Sequence, residues 1–251
     1  MAELWASFDF AEKLYTITIL SFIPIMIAGV VASLMVNATF RKYSSPSPNG
    51  LTAAQAARNM LNENGLSHIS IQRIEGSLTD NFNPQTGIVS LSQTVYGSTS
   101  IAAVGVACHE CGHAVQHDKG YVFAKVRLAL VPVLNFANRM LMPVMLIGML
   151  LGFLGTSPLM GRLGMIFVIA GLIMFGLSAL FALVTLPVEL NASRRALVTL
   201  KNCGAYSSEE LTAARKVLTA AAMTYVVSFL LSLVQFLRFL AIILMSTRRR
   251  D

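Results

Sequence analysis

Residues 14–36 read LYTITILSFIPIMIAGVVASLMV, 23 consecutive positions without a charge. At a helical rise of about 1.5 Å per residue, such a run is long enough to cross a hydrocarbon core about 30 Å thick. It predicts a first membrane-spanning helix. Uncharged runs at 140–160 and 163–186 predict a second and a third. Residues 217–247 form a fourth apolar segment, interrupted by Gln235 and Arg238. Its reading stays open between one crossing, a re-entrant or interfacial helix, and a hairpin of two short helices. Composition agrees: of 251 residues, 55% are hydrophobic and 12% charged, and the mean hydropathy is +0.66. A bilayer is the natural solvent for such a chain.

The net charge is +7, but the basic residues stand in small groups beside apolar runs and form no stripe. They read as membrane-orienting charge, and nucleic-acid binding is excluded. Three cysteines, Cys108, Cys111 and Cys203, are too few for a disulfide framework and point to a reducing compartment. The start, MAELWASFDFAEK, lacks the basic region and small-residue cleavage site of a secretory signal. The first span is therefore expected to stay in place, preceded by a short tail at 1–13.

The one sizeable polar stretch, 44–120, opens with the linker SSPSPNG. In LTAAQAARNMLNENG, Thr52 and Gln55 have capping-box spacing. Ala53, Ala56, Ala57, Met60 and Leu61 recur at helical spacing, and Gly65 supplies a stop. SHISIQRI and IVSLSQTV alternate, with the turn-rich LTDNFNPQTG between them, which predicts two short strands around a turn. SIAAVGVACHECGHAVQH, residues 100–117, continues as a helix. The fold class is thus a mainly α membrane protein with three to four transmembrane segments. A small α+β, zincin-like domain at 44–120 carries the HExxH helix. A membrane-proximal helix at 121–139 follows, then the spans at 140–160 and 163–186, a cytoplasmic segment at 187–216, the open segment 217–247, and a basic tail at 248–251.

Orientation follows from Lys/Arg bias. Glu3, Asp9 and Glu12 precede the first span, and Arg41 and Lys42 follow it, so the N-terminus is expected outside and the polar domain inside. Two more crossings return the chain to the same side, where Arg194, Arg195, Lys201, Arg215 and Lys216 lie. The Arg248–Arg250 run is the exception, since a fourth full crossing puts it outside.

His109-Glu110-Cys111-Gly112-His113 is an HExxH motif. Four residues of helix advance about 400°, which brings both imidazoles onto one face to grip a single Zn²⁺. Glu110 beside the metal takes a proton from water activated by zinc and passes it to the departing amine. A third ligand is needed. His68 heads a strand, and His117 is about 80° off the stripe of His109. Glu189, just inside a spanning helix and on the same side of the membrane by the charge argument, is the candidate. A favourable interaction with a helix N-terminus is its other role. CxxC spacing at Cys108 and Cys111 is set aside as packing, because no second CxxC exists. Arg194 and Arg195 suit either a substrate carboxylate or oxyanion, or positive-inside anchoring.

LTDNFNPQTGIVSLSQTVY (78–96), HECGHAVQ (109–116) and LPVELNASRRAL (186–197) together resemble the YugP-type neutral zinc metallopeptidases, a family of bacterial membrane proteins. The likeness runs from about residue 40 to 240. It implies zinc-dependent peptidase activity, with His109 and His113 as ligands, Glu110 as general base and Glu189 as the matching acid. It also implies, by analogy with other membrane zincins, that residues 86–95 form a strand edge on which an extended substrate lies. Family members often have His and Asp where Asn81 and Asn83 stand, and Asp at Asn191. An acid at 191 would orient and charge-balance a metal-binding histidine. An asparagine hydrogen-bonds without charge, so weaker zinc binding or slower turnover is one expectation.

The leading functional expectation is an integral-membrane endopeptidase holding one Zn²⁺ per chain, with Asn191, Arg194 and Asn81 as supporting or substrate-facing residues. It would work at the cytoplasmic face of a bacterial inner membrane on peptide or membrane-protein substrates. The alternative is a zinc-stabilised adaptor or assembly factor that binds a membrane-protein partner without cutting it. A transporter or channel is disfavoured, because the spans carry almost no ionisable residue besides Arg238. Substrate and oligomeric state are not legible.

Overall fold

A computed structural model describes residues 8–154 and 157–248. Residues 1–7 of the N-terminal tail, residues 155–156 of the span expected at 140–160, and residues 249–251 of the basic tail lie outside the described residues.

In chain order the elements are α1 (Phe10–Lys42), α2 (Ala53–Glu63), β1 (Ser70–Ile74), β2 (Asn81–Asn83), β3 (Ile88–Ser92), α3 (Gln93–Tyr96), α4 (Ile101–Asp118), α5 (Val122–Leu154), α6 (Pro158–Asn202) and α7 (Ser208–Arg248). Four of them, α1, α5, α6 and α7, are long and apolar enough to cross a membrane.

These helices continue where the sequence suggested breaks. α5 runs without interruption through 139–140, and Pro132 and Pro143 lie within it. α6 passes through Pro187 for 45 residues. A proline removes one N–H and its bond, while the bonds on either side carry the helix on. α7 is a single helix through Gln235 and Arg238, so the hairpin reading of 217–247 falls.

The chain divides into two compact units. One comprises the described residues of Met1–Gly29, Arg127–Val184 and Val226–Asp251. Its outer surface is apolar: Leu20, Ile23, Met149, Ile166 and Ile173 are all exposed, as expected of helices solvated by lipid. Where helices meet, small residues bring backbones together. A Cβ at Gly148 would sit 2.9 Å from the Cβ of Phe167. Arg238 explains why its charge does not break α7. Its Nη2 donates to the Thr18 carbonyl at 3.0 Å, and its guanidinium lies 4.6 Å from the ring centroid of Phe22, so α1 satisfies it in part, while Nε is buried without a hydrogen-bond partner among the described residues.

The other unit comprises Val30–Val126 and Thr185–Tyr225. α2 starts with the full capping box: the Thr52 hydroxyl accepts from the Gln55 N–H at 3.2 Å, and the Gln55 side chain accepts from the Thr52 N–H at 2.9 Å. Its buried face, Ala53, Ala56, Ala57, Met60 and Leu61, joins a core with Val89, Leu91, Val104, Ala107, Cys108 and Cys111. Gly65 follows the helix at φ 75°, a conformation that a residue with a Cβ disfavours. The linker is tied down by the Ser47 N–H to the Thr99 carbonyl at 3.1 Å and by the Ser47 hydroxyl to the Glu210 carboxylate.

The sheet departs from the expectation of two strands around a turn. Its order is β1-β3-β2. β1 and β3 pair in parallel from Ser70↔Ile88 to Ile74↔Ser92. The supposed turn contributes β2, antiparallel to β3 with Phe82 opposite Val89. β3 is therefore the central strand, and the edge expected at 86–95 is already paired on both sides over residues 88–90.

Thr52→Ala should remove about 1 kcal/mol of helix stability. Amide hydrogen exchange over residues 53–63 of the detergent-solubilised protein is expected to accelerate several-fold, with exchange in α4 changed less.

Candidate metal centre

α4 begins at Ser100, whose hydroxyl accepts from the Ala103 N–H at 3.3 Å, and carries both histidines of the motif on one face. α6 brings Glu189 to them. The two helices touch at Gly112: a Cβ there would lie 2.6 Å from the carbonyl oxygen of Ala192. Only glycine permits this approach. Glu189 is 2% exposed, yet its Oε2 is 3.1 Å from Nε2 of His109 and 3.4 Å from Nε2 of His113. The two Nε2 atoms are 3.2 Å apart.

Three lone-pair-bearing atoms converging this closely repel one another unless a proton or cation lies among them. Ligands of a tetrahedral zinc with bonds of about 2.0–2.1 Å are separated by roughly 3.3 Å, which is the spacing seen. His109, His113 and Glu189 form a group able to hold a metal ion, and two imidazoles with one carboxylate is a donor set that zinc accepts.

The remaining ring nitrogens are fixed from behind. Nδ1 of His109 lies 3.0 Å from the Ser193 hydroxyl. Nδ1 of His113 lies 3.0 Å from Oε1 of Gln116. The amide nitrogen of Gln116 donates to the Val188 carbonyl at 2.7 Å and to Oδ1 of Asn191 at 3.0 Å. With both amide hydrogens committed, Oε1 must face His113 and accept. His113 is therefore protonated on Nδ1, and Nε2 keeps its lone pair toward the cluster. Asn191 in turn accepts from Nε of Arg195 at 2.8 Å. Asn191 thus acts on His113 through Gln116, a residue to which sequence reasoning gave no role although it stood in the quoted HECGHAVQ stretch.

Glu110 is 9% exposed and lines a cavity of about 190 Å³ together with His109, Glu189, Ser193 and Asp80. Burial raises its pKa, His109 and His113 pull it down, and Glu189 and Asp80 push it up again; the net shift is upward. For His113, burial lowers the pKa, but the Glu189 carboxylate beside its Nε2 and the nearby Glu110 favour the charged form, and they prevail, so the net shift is upward. Asp80 is raised by burial despite accepting from the Ser92 N–H at 2.8 Å and the Ser92 hydroxyl at 3.0 Å.

Other expected residues lie elsewhere. Arg194 is exposed and borders a separate cavity with Asn191, Arg195 and Asn64. Asn81 is exposed on β2, its amide donating to the Thr79 carbonyl at 3.1 Å. His68 is exposed, and His117 stands edge-on to Phe82 with ring centroids 6.2 Å apart. Cys108 and Cys111 face the core at 0% exposure. Burial pushes the Cys108 thiol up to about 12 and raises that of Cys111 well above its ordinary value, so neither is a thiolate at neutral pH.

Residues 18–244 match the profile of a family described as "Putative neutral zinc metallopeptidase". The chain is 40% identical over 214 residues to the "Putative membrane protease YugP" of Bacillus subtilis (strain 168), covering 85% of this chain and 90% of that protein. No solved structure matches.

Gln116→Leu keeps the three converging groups but removes the acceptor behind His113. Zinc affinity, measured by competition with a chromophoric chelator, is expected to fall by about 10- to 100-fold. An unchanged affinity would show that Gln116 does not set the ring.

Proposed function

We propose that this chain, which belongs to the neutral zinc metallopeptidase family, is an integral-membrane endopeptidase that cuts peptide bonds of membrane or membrane-proximal proteins. The observation that carries the reading is the convergence of His109, His113 and Glu189 within 4.8 Å, with His109, Glu189 and the buried carboxyl of Glu110 lining one cavity of about 190 Å³.

Zinc held by the three residues supplies a Lewis acid that lowers the pKa of water toward about 7 and polarises a peptide carbonyl. The chain's own residues do the rest. Gln116 and Ser193 hold the two imidazoles with Nε2 turned inward. Glu110, its proton affinity raised by burial, accepts a proton from the attacking water and returns it to the leaving amine. The α4–α6 arrangement, two histidines one helical turn apart with the acid on a later helix, supports a zincin-like reading of this unit.

The unit is assigned to the cytoplasmic side of the bacterial membrane. Arg41 and Lys42 end α1, and Arg194, Arg195, Lys201, Arg215 and Lys216 belong to the second stretch of the same unit, which the positive-inside rule favours facing the cytoplasm.

The adaptor alternative draws on the asparagines at 81, 83 and 191 and on the absence of an obvious stabiliser for the tetrahedral intermediate. The ground at 191 is weakened, because the Asn191 side chain supplies the acceptor that Gln116 requires.

Detergent-purified protein is expected to contain about one zinc per chain by elemental analysis. His113→Ala and Glu189→Ala should lose it. Glu110→Gln should keep zinc and lose about 100- to 10,000-fold in cleavage rate. Cleavage at the wild-type rate by Glu110→Gln would sink the mechanism. Zinc binding with no cleavage by the wild type would favour the adaptor.

A further inference from the structure

The cavity beside Glu110 is lined by both polar and apolar groups. His109, Glu110, Glu189, Ser193 and Asp80 are the polar ones. Phe40 of α1, Leu78, Val106 of α4, and Leu218, Ala221 and Ala222 of α7 give it apolar lining. A peptide whose carbonyl meets the polar groups must place a neighbouring side chain against the apolar lining. The cavity measures about 190 Å³, and a dry apolar cavity of about 150 Å³ already accepts a benzene ring. One branched or aromatic side chain fits. A charged one would lose hydration against the apolar lining.

The loop forming part of that lining is held in a costly conformation. Leu78 has φ 54°, a left-handed value that a residue with a Cβ disfavours. It is the only non-glycine residue with positive φ among the described residues. The conformation is fixed from both sides: Thr79 Oγ1 donates to the Glu75 carbonyl at 3.1 Å, and Asp80 is anchored on the backbone N–H and hydroxyl of Ser92. Strain of this kind persists where the surroundings impose it, and it concentrates at ligand clamps. Here it presents an apolar side chain to the same space as Glu110.

We propose that this cavity receives the substrate side chain flanking the scissile bond, and that it selects a bulky aliphatic or aromatic residue there, with Leu78 as a fixed wall. The proposal rests on the peptidase reading and adds to it the chemistry of the substrate.

The test uses the full-length, zinc-loaded protein in detergent micelles and a set of peptides differing at one position: Gly, Ala, Leu, Phe, Asp or Lys. Cut sites are read by mass spectrometry. Binding of the same peptides to Glu110→Gln is read by fluorescence anisotropy. Leu or Phe beside the cut is expected to exceed Gly, Asp and Lys by at least about tenfold in kcat/KM, with the same ranking in binding. Ala221→Phe fills the pocket and should reverse the ranking toward Gly and Ala. Leu78→Ala, in a loop and less exposed to misfolding, should narrow the difference between Leu and Gly. Equal cutting and equal binding across the set, or a ranking unmoved in both variants, overturns the pocket. Discriminating binding without cleavage by the wild type upholds the pocket and removes the peptidase reading. Absence of both overturns both.

Discussion

Two helices cannot normally bring their backbones much closer than their Cβ atoms allow, and the candidate metal centre depends on an exception to that limit. Glu189 has a side chain of ordinary reach. It meets His109 and His113 because α6 lies against α4 at Gly112, where the Ala192 carbonyl occupies space that any other residue would fill. The motif's fourth position is thus a steric permission as well as a spacer. The same contact brings Val188, Asn191 and Ser193 over α4, so one close approach supplies a carboxylate, a backbone acceptor for Gln116 and a hydroxyl for His109.

Around that contact, polar groups are joined so that few are left to bargain with water. The direction of donation runs from His113 to Gln116, and from both Gln116 and Arg195 to Asn191. A carboxylate at 191 would draw more strongly on Gln116 and pair with Arg195. The amide gives the same pattern with less polarisation of the imidazole, and it avoids burying another charge close to Glu189 and Glu110, where desolvation is already large.

Much of this was legible beforehand, for identifiable reasons. His109, Glu110 and His113 were marked by a spacing that only a helix makes meaningful, and the α2 capping box is a local interaction between residues three apart. Glu189 came from reasoning about which side of the membrane a carboxylate would occupy, and the structure brings it to the histidines. Gln116 was passed over because its role needs the identity of its neighbours on a distant helix. The sheet order was missed because β2 is three residues inside a stretch dense in turn formers, and such a strand exists only through pairing with β3. The extra length of α5 and α6 was hidden because spans are read as uncharged runs, which are bounded by Arg139 and end before Pro187 and Glu189, while the helices continue through these positions.

The two cysteines beside the motif histidines have a consequence of a different kind. Thiolate sulfur is a soft donor that attracts Cu(I) and binds zinc readily, and Cys108 adjoins His109 while Cys111 lies two residues from both histidines. Helical geometry turns them about 100° per residue away, into a core where burial keeps them as neutral thiols. What faces the metal position is nitrogen and oxygen alone. A stretch rich enough in sulfur to make a thiophilic site therefore presents borderline and hard donors, and its discrimination among metals is set by the direction in which the helix points its side chains rather than by which residues it contains.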